Sequence, residues 1–118
     1  MVITADIATT IASFAGVAIP EGRQGVNLDA VLSGQRAPRD HILIESSGGL
    51  LTFPNRSIRT HRWKLIASHP RENAGRLFFE LYDLQADRYE LANLYRDPDY
   101  SAVASVLREA LDRALPIP

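Results

Sequence analysis

The sequence contains no cysteine. Disulfides, thiolate metal shells and a cysteine nucleophile are therefore excluded. Long apolar runs are missing as well, and none approaches the ~20 residues a membrane-spanning helix needs. At the start of the chain, Met1-Val2-Ile3 has no basic flank and Asp6 interrupts the apolar stretch. No signal peptide is expected, and the chain reads as soluble. Neither sign of charge prevails. A net charge of −1 gives no global pull toward nucleic acid or an anionic membrane. His41, His61 and His69 stand on separate elements with no carboxylate cluster beside them, which is not the spacing of a metal site. The stretch Ser46-Ser47-Gly48-Gly49 lacks the strand-to-helix context of a nucleophile elbow and reads as a turn.

What is present is an ordinary globular composition, 46% apolar and 23% charged over 118 residues. That is enough for a modest core in a chain of one-domain length. Residues 4–15 read as a helix, because Ile3, Ile7, Ile11 and Phe14 recur on one face. Thr4 is the expected N-cap, Asp6 suits the helix dipole, and Gly16 is the stop. Asn27 caps a short turn through Leu28, Val31 and Leu32, ended by Gly34. Residues 34–40 are polar, contain Pro38 and read as a joint.

Strands are expected at 41–45, weakly at 50–53, at 56–60 and 63–67 as a hairpin, and at 77–83. Asp97 then caps a final helix with Pro98 at its first position. Its apolar stripe is Tyr100, Val103, Leu107, Ala110, Leu111 and Ala114, and Pro116 ends it. The expected fold class is α+β: a small antiparallel sheet of about three to five strands, a long C-terminal helix packed on it, and an N-terminal helical segment.

The stretch 81–94 is the densest in chemistry. Tyr82-Asp83-Leu84, Asp87, Glu90 and Asn93-Leu94 follow one another at short intervals. Acceptor side chains interleaved with leucines suit a tight turn whose backbone N–H groups need partners. Asp87 and Asn93 are expected to cap such groups. Asp83 or Glu90 is expected to pair with Arg59 or Lys64 of the hairpin. A paired-carboxylate catalytic site is the weaker reading, since capping and ion pairing suit this spacing better.

These residues resemble the closing signature of the sulfatases, in the alkaline phosphatase superfamily: Tyr-Asp-Leu, then Asp, Glu and Asn-Leu, each after a gap of two. The resemblance extends upstream. Asp6, Thr10, Ala15-Gly16 and Gly25 match a sulfatase segment, with Thr9 where the family usually has proline. Arg59-Thr60 and Lys64 match a stretch of its C-terminal sheet. By this resemblance, residues 1–34 correspond to the end of a catalytic domain and 35–118 to the C-terminal subdomain.

The full-length family uses a formylglycine and Ca²⁺ or Mg²⁺. Ser68-His69-Pro70-Arg71-Glu72 is the nearest approach to the formylglycine motif, but Glu72 replaces the required arginine and the position is wrong. The expectation is a C-terminal sulfatase fragment, inert alone, with no cofactor of its own. Its partner would be the missing catalytic domain, or another copy through the apolar helix face. The alternatives are a stand-alone interaction or oligomerisation module, and an anion-binding module built on the hairpin 56–64.

Overall fold

The computed structural model describes residues 1–19, 21–48, 54–69 and 77–114. It divides into two compact units, Met1–Asp40 and His41–Pro118.

The first unit has two helices, α1 (Thr4–Phe14) and α2 (Leu28–Leu32). Thr4 is not the cap of α1. Ile3 takes that place, and its N–H donates to Asp6 Oδ2 at 2.8 Å. A carboxylate at the third helical position thus satisfies the N–H of the cap residue itself, the half of a capping box that a threonine hydroxyl does not supply. At the other end Gly16 has φ +65°, its N–H donates to the Ser13 carbonyl, and Val17 N–H donates to the Ala12 carbonyl. This is a Schellman ending, and it needs the left-handed conformation that glycine adopts without strain. Gly25 is constrained by contact instead. A Cβ there would lie 2.1 Å from Thr9 Oγ1 and 2.3 Å from the Ala5 carbonyl oxygen. Asn27 caps α2 by accepting from Asp29 N–H at 3.0 Å.

The second unit is a four-stranded antiparallel meander in the order β1 (His41–Ser46), β2 (Asn55–Thr60), β3 (Trp63–Ser68) and β4 (Phe78–Asp83). The expected strand 50–53 lies outside the described residues. The register aligns Leu43, Ile58, Leu65 and Leu81 on one face. A 3₁₀ turn (Pro98–Tyr100), capped by Asp97, leads into helix α3 (Ser101–Ala114). Ala104, Leu107 and Leu111 of α3 close on Ile58, Leu65, Ala67 and Leu81 to form the core. Around that core, Phe79 stacks on Tyr95 with centroids 4.8 Å apart, and Trp63 meets Tyr100 edge-on at 5.8 Å. The fold is α+β, as the alternation and the final apolar stripe predict.

Candidate functional site

The turn after β4 is built from its own acceptors. Asp83 is buried at the strand end. Its Oδ2 accepts from Arg62 Nε at 3.0 Å and Nη2 at 2.8 Å, and its Oδ1 accepts from Gln85 and Ala86 N–H. The guanidinium, with help from those amides, holds the Asp83 carboxyl below its usual range against the opposing effect of burial. Asp87 Oδ2 accepts from Leu91 N–H at 2.7 Å and Ala92 N–H at 2.8 Å.

Asn93 binds the free side of β4. Its Oδ1 accepts from Leu81 and Tyr95 N–H, and its Nδ2 donates to the Phe79 carbonyl. Glu90 sits at φ +57°, a conformation unfavourable by about 1–2 kcal/mol for a residue with a Cβ. That geometry coexists with a 2.6 Å hydrogen bond from Lys64 Nζ to Glu90 Oε2. Tyr82 is buried on the opposite face of β4, and its hydroxyl donates to Glu80 Oε1 at 2.6 Å. Burial, reinforced by Glu80, raises its phenol above the usual range.

A second hub lies in the first unit. Asp6 is fully buried, and both its oxygens are engaged. Oδ2 accepts from Ile3 N–H and from Arg39 Nη1 at 2.7 Å; Oδ1 accepts from Val26 N–H at 2.8 Å and from Arg39 Nη2 at 3.0 Å. Hydrogen bonding to Arg39 comes first among the causes that hold the Asp6 carboxyl far below its usual range. Thr10 extends the hub. Its hydroxyl donates to the Asp6 carbonyl at 2.7 Å and accepts from Leu28 N–H at 2.9 Å, which ties α1 to the start of α2. Beside the pair lies a shallow pocket walled by Val2, Val26, Leu28, Val31 and Pro38. The pair's polar atoms already face one another, so the pocket offers a ligand mainly apolar wall.

The structure brings Asp83, Asp87, Glu90, Asn93 and Lys64 into one scaffold, and Asp6, Thr10 and Gly16 into the other. It leaves Arg59 exposed, and Asp83 pairs with Arg62 instead. The reason is register. Trp63 lies opposite Asp83, so the residue just before Trp63 reaches the carboxylate, whereas Arg59 lies beside Lys64 farther in. Arg39, Arg62 and Asp112 are partners that the sequence reading did not single out. Arg39 falls in a stretch read as a spacer, and Arg56 meets Asp112 from a helix far along the chain. The cations of the hairpin are thus largely engaged internally: Arg56 with Asp112, Arg62 with Asp83, Lys64 with Glu90. That disfavours an anion-binding surface there.

Among the described residues, no three His, Asp or Glu side chains converge as a metal shell requires. Residues 70–72 of the nearest formylglycine-like stretch lie outside the described residues. No described helix is long and apolar enough to cross a membrane.

Residues 1–115 match the family model described as N-sulphoglucosamine sulphohydrolase, C-terminal. The chain is 33% identical over 113 residues to a Δ4,5-hexuronate-2-O-sulfatase of Bacteroides thetaiotaomicron, a match covering 92% of this chain and 22% of that protein. The solved structure of BT4656 in complex with its substrate D-glucosamine-2-N,6-O-disulfate superposes with a TM-score of 0.78 at 27% identity, over 92% of this chain and 23% of that one. A putative sulfatase of Bacteroides fragilis shares the fold at a TM-score of 0.71 and 19% identity, over 93% and 24% of the two chains. The chain therefore spans less than a quarter of the length of these relatives.

Proposed function

This chain belongs to the N-sulphoglucosamine sulphohydrolase C-terminal family, and from that membership we propose that it serves as a structural subdomain of a sulfatase and has no ester hydrolysis of its own. The observation that carries this reading is the state of the family's signature residues. Asp83, Asp87, Glu90 and Asn93 are each engaged with backbone N–H groups or a cation of the same scaffold. A general acid or base needs a proton site within reach of substrate, and these groups are turned to architecture. Their work is to hold the edge of the sheet and the turn that follows it in one arrangement.

In the complete enzyme that arrangement would rest on the catalytic domain and form part of the rim of the substrate pocket. The sulfated-sugar chemistry of the relatives suggests the substrate class of such an enzyme. The formylglycine and metal that supply its chemistry would belong to the catalytic part. The test is an assay of the purified chain with aryl sulfates and aryl phosphates, with and without Ca²⁺ or Mg²⁺. No turnover is expected. Turnover that follows the protein through purification and is lost on substituting Ser68 or His69 would overturn the reading.

A further inference from the structure

Helix α1 is amphipathic in the inverted sense. Its polar side faces its own unit: Asp6 is fully buried, Thr10 bonds to Leu28, and Ser13 accepts from Asn27 Nδ2. Its apolar side faces outward. Ile7 is 52%, Ile11 62% and Phe14 74% exposed, and Val17 just beyond the helix is 60% exposed. Among the described residues of its own unit, nothing covers this face. Among the described residues of Met1–Asp40, Asp6 is the only buried one. The unit therefore has a polar centre and no apolar core, an unusual state for so short a segment unless something else supplies one.

We propose that the Ile7–Ile11–Phe14–Val17 face is the surface by which this chain seats on the catalytic part of a sulfatase; the proposal rests on the reading given under Proposed function. Two observations favour that occupant over a second copy. The chain spans 22–23% of the length of the sulfatases named above, so most of such a protein lies outside it. The face is also small. At ~60–120 Å² per buried large apolar side chain, two copies meeting here would bury about 500–1,000 Å², below the ~1,200 Å² of a stable dimer. A larger body with a matching groove can cover the helix on more than one side.

The absence of cysteine makes the test direct. Ile11→Cys and Phe14→Cys are introduced singly, with Leu91→Cys, at an equally open site in the other unit, as control. Alkylation is followed peptide by peptide in the chain alone and in a chimera in which this chain replaces the matching segment of the B. thetaiotaomicron sulfatase. The expected result is fast labelling of all three sites in the chain alone. In the chimera, labelling at positions 11 and 14 should slow at least tenfold while position 91 stays fast. Equal rates in both settings would overturn the proposal. So would slow labelling in the chain alone that accelerates on dilution, because a second copy would then be the occupant. Sulfate release by the same chimera without the cysteine substitutions reports separately on the structural-subdomain reading. Protection without activity would sink that reading and leave the seating surface standing, and activity without protection would do the reverse.

Discussion

Replacing Arg39 with methionine removes both guanidinium hydrogen bonds from Asp6 and keeps much of the side chain's bulk. The carboxylate would remain fully buried with only the N–H groups of Ile3 and Val26 facing it. Leaving one partner of a buried ion pair unmatched costs about 3–5 kcal/mol. The lower end applies here, because two backbone donors remain and Arg39 itself is 18% exposed. At ~0.05–0.15 kcal/mol per residue, a forty-residue unit has only about 2–6 kcal/mol of stability in total. The substitution should therefore open the first unit and spare the second, since local stability need not be uniform along a chain.

Amide hydrogen exchange resolves the two. Protection at Val26 and Leu28 should fall by about a hundredfold, following the 1.4 kcal/mol per tenfold rule, and that at Leu65 and Leu81 should not change. Unaltered protection at Val26 would refute the reasoning, because it would mean that the Asp6–Arg39 pair does not hold the unit together.

Other consequences can be measured alongside. Asp6 and Asp83 both have carboxyls held below their usual range in the folded chain. Their contribution is complete above the unfolded value of about 3.9 and is lost progressively as pH falls below it toward the folded values. Protection at Val26 and Gln85, measured against the intrinsic exchange rate at each pH, should accordingly fall below about pH 4, and protection that stays constant down to pH 2 would contradict this. Asn93→Ala removes three hydrogen bonds from β4 and the following turn, and should lower stability by about 2–3 kcal/mol in denaturant unfolding. Leu111→Ala opens a fully buried position and should cost about 2–5 kcal/mol by the same measure. Lys64→Met leaves Glu90 strained and only partly exposed, so a loss of about 1 kcal/mol or more is expected. An unchanged melting temperature would mean that the pair is screened.

Several elements were legible because a periodic pattern or a local rule fixes them. The strands 56–60 and 63–67 follow from β-prone residues around a two-residue turn, and α3 from leucines and alanines at helical spacing behind Asp97-Pro98. Asp87 was readable as a cap, and Asn93 through its bond to Tyr95, because those partners lie within a few residues along the turn; the bonds of Asn93 to Leu81 and Phe79 reach back 12 and 14 residues. The long-range partners were not. Arg39 reaches Asp6 across 33 residues, and Arg56 reaches Asp112 across 56. Nothing periodic marks such pairs, since a single arginine in a polar stretch has the same local signature as a solvated one. β2 departs from simple alternation, with Arg56, Ser57 and Ile58 all buried, so burial there is not set by the strand's own pattern. The outward apolar face of α1 has the ordinary signature of a core-facing helix. Sequence gives the face and not what covers it.

The central claim is that this chain completes a sulfatase structurally without taking part in its chemistry. Sulfate release from a Δ4,5-unsaturated 2-O-sulfated uronate tests it most directly, measured for the B. thetaiotaomicron enzyme shortened by its matching segment and for the chimera carrying this chain in that place. The account predicts no release from the shortened enzyme, release restored in the chimera, and full retention when Ser68 of the chimera is replaced by alanine. A folded but inactive chimera, or activity that depends on Ser68, would contradict it.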